Sequence, residues 1–289
     1  MTVSSLSQSD QALVDSVLDQ LEPTARARAL RAPQRIVDEG SAYRVVLRGL
    51  EIAVRIARDS GTRALMEQRQ HLVDALPPLG VRVPSSLTPV VTVGQRSAVG
   101  VVAVSGAPVM HGTVDGQELA RLLTTLQRVD LGPLRPLLAP PLQFCGGTTW
   151  HRVQHELVIP RLRPEARDRA RRAVDALHEL PADETDVLSH GDLGGANLLW
   201  NDGRISGVID WDLASASDRS TDIATLALWF GDQSMRVVAT ERDLERARIR
   251  QRTFALQQVA FSLLAQRAEH EIDDMVARVE PWMARFEHP

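Results

Sequence analysis

The feature that most narrows the folding options of this chain is an Asp202-Gly203 pair set between two short apolar runs, Leu198-Leu199-Trp200 and Ile205 to Ile209. Such a pair between apolar runs is a strong signal for a β-hairpin, because its tight turn needs left-handed backbone angles that Asp and Gly adopt at low cost. The glycine-rich loop Ser189-His190-Gly191-Asp192-Leu193-Gly194-Gly195-Ala196-Asn197 leads into the first strand, and Asp210-Trp211-Asp212 follows the second. Reversing the chain at 202–203 brings Asn197 to within a residue or two of Asp210, with Asp192 in the loop just before. One carboxylate and one amide carbonyl suit a hard cation such as Mg²⁺, which takes one or two carboxylates and fills its shell with phosphate and water. The other carboxylate is then available to accept a proton from a hydroxyl. The competing expectation is a structural loop in which Asp192 caps a helix and Asn197 and Asp202 only make turns.

Composition removes several classes. The net charge of −4 and the lack of a concentrated basic field argue against a nucleic-acid partner. The first residues lack the basic and then apolar segments of a signal peptide, and no apolar run approaches a membrane span, so a cytoplasmic protein with no membrane partner is expected. A single cysteine, Cys145, excludes an internal disulfide and a cysteine zinc cluster. Beside Gly146-Gly147 it is expected to be a buried structural thiol. All 33 basic side chains are arginine and none is lysine. That rules out a phosphate loop built on a lysine and any Schiff-base chemistry. No Gly-x-Ser-x-Gly turn is present to support a hydrolase.

Taken in order, residues 9 to 21 predict a helix with Leu13, Val14, Val17, Leu18 and Leu21 on one stripe. An arginine-rich connection to Arg35 is expected to be a solvated face. Arg44 to Leu47 and Ile52 to Ile56 predict paired strands, and residues 62 to 75 a helix ended by Pro77-Pro78. Leu87 to Val93 and Ala98 to Val104 add two strands, giving a small sheet of four or more. Ser105-Gly106-Ala107-Pro108 punctuates the chain, after which Leu119, Leu122, Leu123, Leu126 and Val129 follow a helical repeat. Residues 131 to 149 read as an irregular connection. His151 and His155 stand at i,i+4 in the next helical stretch, but the sequence offers no evident third metal ligand, so packing or surface roles are expected. A helix over 164–180 precedes the glycine-rich loop. A small-residue loop over 212–218 follows the hairpin, then a helix from Asp222 to Phe230 and a pair of helices broken near Gly231 and Met235.

The run His190-Gly191-Asp192, with Asn197 five residues after the aspartate and Ile209-Asp210-Trp211-Asp212 beyond, resembles the catalytic and metal loops of the aminoglycoside phosphotransferase and choline-kinase-like family. The resemblance extends roughly over residues 35 to 270. Residues 189 to 212 and 249 to 260 carry a narrower resemblance to the tuberactinomycin (viomycin and capreomycin) phosphotransferases. It implies an α+β, two-lobed protein-kinase-like fold with an antiparallel N-lobe over 1–104 covering the nucleotide and a mainly helical catalytic and substrate lobe over 105–289. It implies a small-molecule kinase that moves the γ-phosphoryl group of ATP or GTP to a hydroxyl of an antibiotic-like acceptor. Asp192 is then the base, Asn197 and Asp210 hold Mg²⁺, and His190 and Asp222 support the loop. Asp222 has a second reading as a helix cap. Arg55 stands where the family places its phosphate-contacting basic residue, with Glu67 as a possible pair, Ser41 in the phosphate-covering turn and Val104 entering the stretch that meets the purine. Asp212 and the acidic Glu271 and Asp274 are candidates for contact with a cationic acceptor. The segment at Asp218 reads Ser-Asp-Arg where the family usually has Gly-Asp-Pro, which leaves the conformation of that loop open. A metabolite kinase of the same fold, and a nucleotide-binding protein without transfer activity, are the alternative outcomes.

Overall fold

A computed structural model describes residues 6–37, 43–58, 63–110, 114–181 and 185–286. In chain order they form α1 (Gln8–Asp19), α2 (Pro23–Arg31), β1 (Gln34–Val37), β2 (Tyr43–Arg48), β3 (Ile52–Ala57), α3 (Arg63–Ala75), β4 (Val91–Val93), β5 (Arg96–Val102) and β6 (Ala107–Pro108). Then come α4 (Gly116–Gln127), α5 (Trp150–Val153), α6 (Pro164–His178), β7 (Val187–Ser189), β8 (Leu198–Asn201), β9 (Arg204–Val208) and β10 (Ser215–Ser217). The chain ends in α7 (Ser220–Phe230), α8 (Asp232–Met235), α9 (Glu241–Arg252), α10 (Phe254–Leu264) and α11 (Glu269–Ala284). Two compact units result: Met1–Pro108 with Leu198–Ile209, and Val109–Asn197 with Asp210–Pro289. No helix among the described residues is long and apolar enough to cross a membrane.

The first unit is built on a five-stranded antiparallel sheet in the order β1-β2-β3-β5-β4. The period-2 alternation of β3 divides its side chains between two faces. Val54 and Ile56 join Val46 and Ala98 under Leu13, Val14, Val17 and Leu18 of α1, while Ala53 and Ala57 join Tyr43, Val99, Val101 and Met66 of α3. Arg55 therefore falls on the α3 face. The Ser7 side chain caps α1 by accepting from the Asp10 N–H at 3.1 Å. Asp10 is itself buried and pairs with Arg44 of β2 and Arg96 of β5, at 2.6 Å for the latter. Burial alone would raise its pKa; the Ser7 hydroxyl and the two guanidiniums outweigh that and hold it below the usual carboxylate range. The arginine-rich segment after α1 is helical (α2) rather than a plain connection. Pro23 in its first turn supplies the fixed backbone angle a helix start needs, and Ala29 is its buried contact.

The Asp202-Gly203 hairpin forms as the sequence predicts, with φ of 49° and 75° at its two turn residues. β6, β8 and β9 make a three-stranded antiparallel sheet, with a register shift between Leu199 and Trp200. Close approach explains one of its glycines: a β-carbon on Gly207 would stand 2.0 Å from Val104 Cγ1.

In the second unit, α4 buries Leu119, Leu122, Leu123 and Leu126 behind an Asp115 cap. A larger core gathers Trp150, Val153, Val158 and Ile159 with Val174 and Leu177 of α6, Leu256 and Val259 of α10, and Val279 and Met283 of α11. The pair of helices expected after Gly231 is four helices, α8 to α11. Thr240 opens α9 with a reciprocal capping box to Asp243, and Thr253 separates α9 from α10. The small-residue loop over 212–218 also contains a strand, β10, paired antiparallel with β7. Alternating Ser and Ala carried too little apolar signal to announce it.

Candidate active site

The loops that carry Asp192 and Asp210 belong to the second unit, and β7 and β10 set them side by side. Ser189 pairs with Ser215, so the chain leaving β7 toward Asp192 runs beside the chain arriving at β10 from Asp210. The two loops touch at Gly191, where φ is +82° and a β-carbon would stand 2.4 Å from the Leu213 carbonyl oxygen. Asp210 adopts the left-handed region, φ 62° and ψ 63°, a conformation that Asp tolerates better than bulkier residues. From there the chain enters the short turn Trp211–Leu213.

Asp222, in the first turn of α7, anchors the first loop. Its Oδ2 accepts from the His190 N–H at 2.9 Å and its Oδ1 from the Gly191 N–H at 3.0 Å. The carboxylate is buried, which raises its pKa; the His190 and Gly191 N–H donors act in the opposite direction. His190 is buried as well. Its Nδ1 accepts from the Asp192 N–H at 3.3 Å, and its ring meets the Trp211 ring edge-on at a 4.8 Å centroid distance. Both family-implied support residues thus touch the loop backbone rather than lining its open side.

Asn197 closes the loop on Asp192. Its Nδ2 donates to the Asp192 carbonyl at 2.8 Å and to Asp192 Oδ2 at 3.0 Å. This assigns the amide orientation and leaves Oδ1 outside both of these bonds. Part of Asp192 reaches solvent, but the atoms packed around its carboxylate push its pKa up to about 6, and the Asp210 charge adds to the rise. Two carboxylates and an amide oxygen concentrated in one place form an all-oxygen donor set with more negative charge than it can comfortably hold. That fits Mg²⁺ in chemistry and in charge.

Features that the sequence did not reveal hold this arrangement. Trp229, on α7, covers Gly194 and Gly195, where added β-carbons would come to 2.7 Å and 3.0 Å of its ring atoms. The start of α7 is fixed by Asp218, whose Oδ1 accepts from the Ser220 N–H at 2.6 Å and whose Oδ2 accepts from Arg246 Nε at 2.8 Å. Arg250 adds a second guanidinium to Asp218 at 3.5 Å and donates to Ser220 Oγ at 2.8 Å. The Ser-Asp-Arg departure therefore still gives a tightly held loop, clamped to α9. Arg246 and Arg250 at i,i+4 were the available signal, hidden among many arginines.

The other candidates fall in different places. Arg55 lies with its Cζ 4.1 Å from the centroid of the Tyr43 ring, and Glu67 pairs with Arg63 of its own helix at 2.9 Å. Ser41 lies outside the described residues. Val104 is half-buried against Gly207. Asp212 sits half-buried in the turn after Asp210. Glu271 caps α11 by accepting from the Ala268 N–H at 3.1 Å, and Asp274 is exposed on the same helix. Cys145 is buried and its thiol is pushed up to about 12, which leaves it unreactive near neutral pH.

Comparison with known proteins places this arrangement. Residues 34–261 match the family model described as the phosphotransferase enzyme family. The viomycin phosphotransferase of Streptomyces vinaceus is 31% identical over 263 residues, covering 82% of this chain and 90% of that protein. Among solved structures, the GDP complex of aminoglycoside 2'-phosphotransferase-IIIa superposes with a TM-score of 0.78 at 15% identity, covering 96% of this chain and 99% of the other. A macrolide 2'-phosphotransferase from Brachybacterium faecium gives a TM-score of 0.65 at 20% identity, covering 94% and 98%. At those identities the structural likeness speaks for the fold, which is the α+β kinase-like architecture the motifs imply.

Proposed function

The chain belongs to the phosphotransferase enzyme family and is a phosphotransfer enzyme, and from that premise we propose that it moves the γ-phosphoryl group of ATP or GTP onto a hydroxyl of an antibiotic-like acceptor of the cationic peptide or aminoglycoside type. The observation that carries this reading is the locked pair of loops. Asp192 is tied by Asn197, sits in a loop whose backbone Asp222 holds, and feels the charge of Asp210. In this reading Asp192 orients the acceptor hydroxyl and takes its proton, an assignment that needs a carboxylate with one oxygen open to solvent. Asn197 Oδ1 and the Asp210 carboxylate are the residues that would hold Mg²⁺. When bound, the ion supplies positive charge to phosphoryl oxygens on which negative charge accumulates in the transition state. Asp222 and His190 keep the loop backbone fixed, so that little reorganisation accompanies transfer. Arg55 is the basic residue proposed to meet the nucleotide phosphates, through a guanidinium fork in place of a lysine ammonium.

The acceptor class rests on the likeness to the viomycin phosphotransferase, an enzyme named for its acceptor. The test is an acceptor panel of cationic peptide antibiotics, aminoglycosides, simple sugars and amino-alcohols, each incubated with Mg²⁺ and either ATP or GTP, with products read by mass. A phosphorylated antibiotic supports the proposal. Product from sugars or amino-alcohols alone would replace the antibiotic with a metabolite, and no product from any acceptor would remove the transfer reading from this chain.

A further inference from the structure

Outside the loops just described, the second unit gathers two imidazoles and a carboxylate on one spot. His151 belongs to α5, and His155 lies in the π turn formed by residues 154–158 that continues it. Asp175 comes from α6. His151 Nε2 and His155 Nε2 each lie 2.9 Å from the same oxygen, Asp175 Oδ1. The three ligand atoms all fall within 4.8 Å of one another. Sequence spacing supplied only the histidine pair; packing of α6 against α5 supplies the third group.

We propose that His151, His155 and Asp175 bind one borderline divalent cation, Zn²⁺ being the best fit, as a clip between α5 with its π turn and α6.

Three arguments support the assignment. The donor set is two neutral-capable imidazoles and one carboxylate, a combination that favours Zn²⁺ and its transition-metal neighbours over Mg²⁺ or Ca²⁺. A tetrahedral ion bonded at about 2.0–2.2 Å to three ligands separates them by roughly 3.3 Å. The observed 2.9 Å separations are within a few tenths of an ångström of that on two edges. The carboxylate oxygen needs only a small retreat to let an ion sit between it and the two nitrogens. The imidazoles are also already oriented. His178, one turn after Asp175 on α6, stacks on the His151 ring at a centroid distance of 4.0 Å, and Trp150 meets His151 edge-on at 6.0 Å. Such support lowers the ordering cost that otherwise weakens a surface metal site. The His155 ring lies 4.5 Å from that of His151, so one ion reaches both. A π turn inside a helix is uncommon and often accompanies a functional site. All three residues keep partial exposure, which gives the ion a route in and leaves a coordination position for water.

The test uses the full chain, freed of any affinity tag and stripped with a chelator, in buffer containing millimolar Mg²⁺ so that all-oxygen sites are already served. Zn²⁺ titrated by calorimetry is expected to bind with a stoichiometry of one and to raise the thermal midpoint in a concentration-dependent way. Co²⁺ is expected to give the visible absorption of a tetrahedral or five-coordinate nitrogen–oxygen site. His155→Gln and Asp175→Asn, both half-exposed positions, should each weaken Zn²⁺ binding at least tenfold while keeping the metal-free thermal midpoint within a few degrees. His270→Gln, on α11, should leave binding unchanged. Binding that is substoichiometric, or that survives in the His151→Gln/His155→Gln double variant, would overturn the proposal and leave the cluster as a hydrogen-bonded His–Asp–His contact. Because the readout is binding and not transfer, it stands or falls separately from the acceptor panel.

Discussion

Gly191 and Leu213 are in contact so close that a β-carbon on the glycine would stand 2.4 Å from the Leu213 carbonyl oxygen. This is where the loop bearing Asp192 meets the turn that follows Asp210, so the separation of the two carboxylates depends on a side chain being absent. Gly191→Ala places a β-carbon into the carbonyl and also strains a backbone at φ +82°. Left-handed geometry costs an L-residue about 1–2 kcal/mol. Displacement of the catalytic group by about 1 Å is enough to lower turnover roughly 100-fold. The variant is expected to fold and to show a loss in kcat of that order; wild-type kcat in a folded Gly191→Ala protein would show that the loop contact does not set the geometry.

Asp222 is the second determinant of the same loop. Its two oxygens are the acceptors for successive backbone N–H groups, so Asp222→Ala leaves one buried and one part-buried donor without this partner, at about 1–3 kcal/mol for the buried one. Asp222→Asn keeps the shape and one accepting oxygen, and should fall between wild type and alanine. Steady-state kinetics should show kcat falling in the order wild type, asparagine, alanine, with nucleotide KM changing less than threefold. A change confined to thermal stability, with kcat untouched, would make Asp222 a fold residue only.

Asp192 is the proposed base, and its removal should look different from loosening the loop. Asp192→Ala is expected to lower turnover by about 10²–10⁴-fold, the range for a lost general base, while equilibrium binding of ATP or GTP stays near wild type. Measuring both on one preparation separates the roles. Turnover comparable to wild type in the folded variant would end the assignment of the base.

The hairpin, the glycine-rich loop and most helices were legible because each is a local event: an Asp-Gly turn, an alternating strand and a 3.6-residue apolar stripe leave their mark within ten residues. β10 was not, since Ser215-Ala216-Ser217 has no apolar face and owes its strand form to pairing with β7. α2 was hidden by three arginines among nine residues, which lowered its apolar signal although Pro23 marked its start. At the site, Asp192, Asn197 and Asp210 were legible as a motif, whereas Trp229, Arg246 and Arg250 act through contacts made 28 to 35 residues away in sequence. The third partner of His151 and His155 escaped for the same reason, because Asp175 lies on another helix.

Glu271 and Asp274 were proposed together for a cationic acceptor, and their surroundings now separate them. Glu271 caps α11, so neutralising it costs stability, about 0.5–2 kcal/mol for a lost cap, whatever it does to substrate. Asp274 is exposed and gives the cleaner measurement. If the acidic face attracts a basic acceptor, Asp274→Asn should raise KM for that acceptor about two- to fivefold, a shift equivalent to roughly 0.4–1 kcal/mol, and leave KM for a neutral acceptor unchanged. Equal shifts for both acceptors would return the acidic run to an ordinary solvated helix face.

The last expectation concerns pH and the clamp at the start of α7. Burial alone would raise the pKa of Asp218, but the Arg246 hydrogen bonds, the Arg250 charge and the Ser220 donors together hold it below its ordinary value of 3.8. A carboxylate with a lowered folded pKa stabilises the fold fully above its unfolded value, near 3.9, and loses that contribution as pH falls through the folded one. Asp218→Asn removes the charge at every pH and leaves two buried guanidiniums facing a neutral amide, at a cost of about 3–5 kcal/mol near pH 7. Urea midpoints of wild type and Asp218→Asn should therefore differ by a constant amount from pH 7 down to about 5. The gap should then close progressively from about pH 4 downward as wild-type Asp218 takes up its proton. A difference that stays constant to pH 3, or that widens in acid, would show that the Asp218 charge is not what fastens α7 to α9.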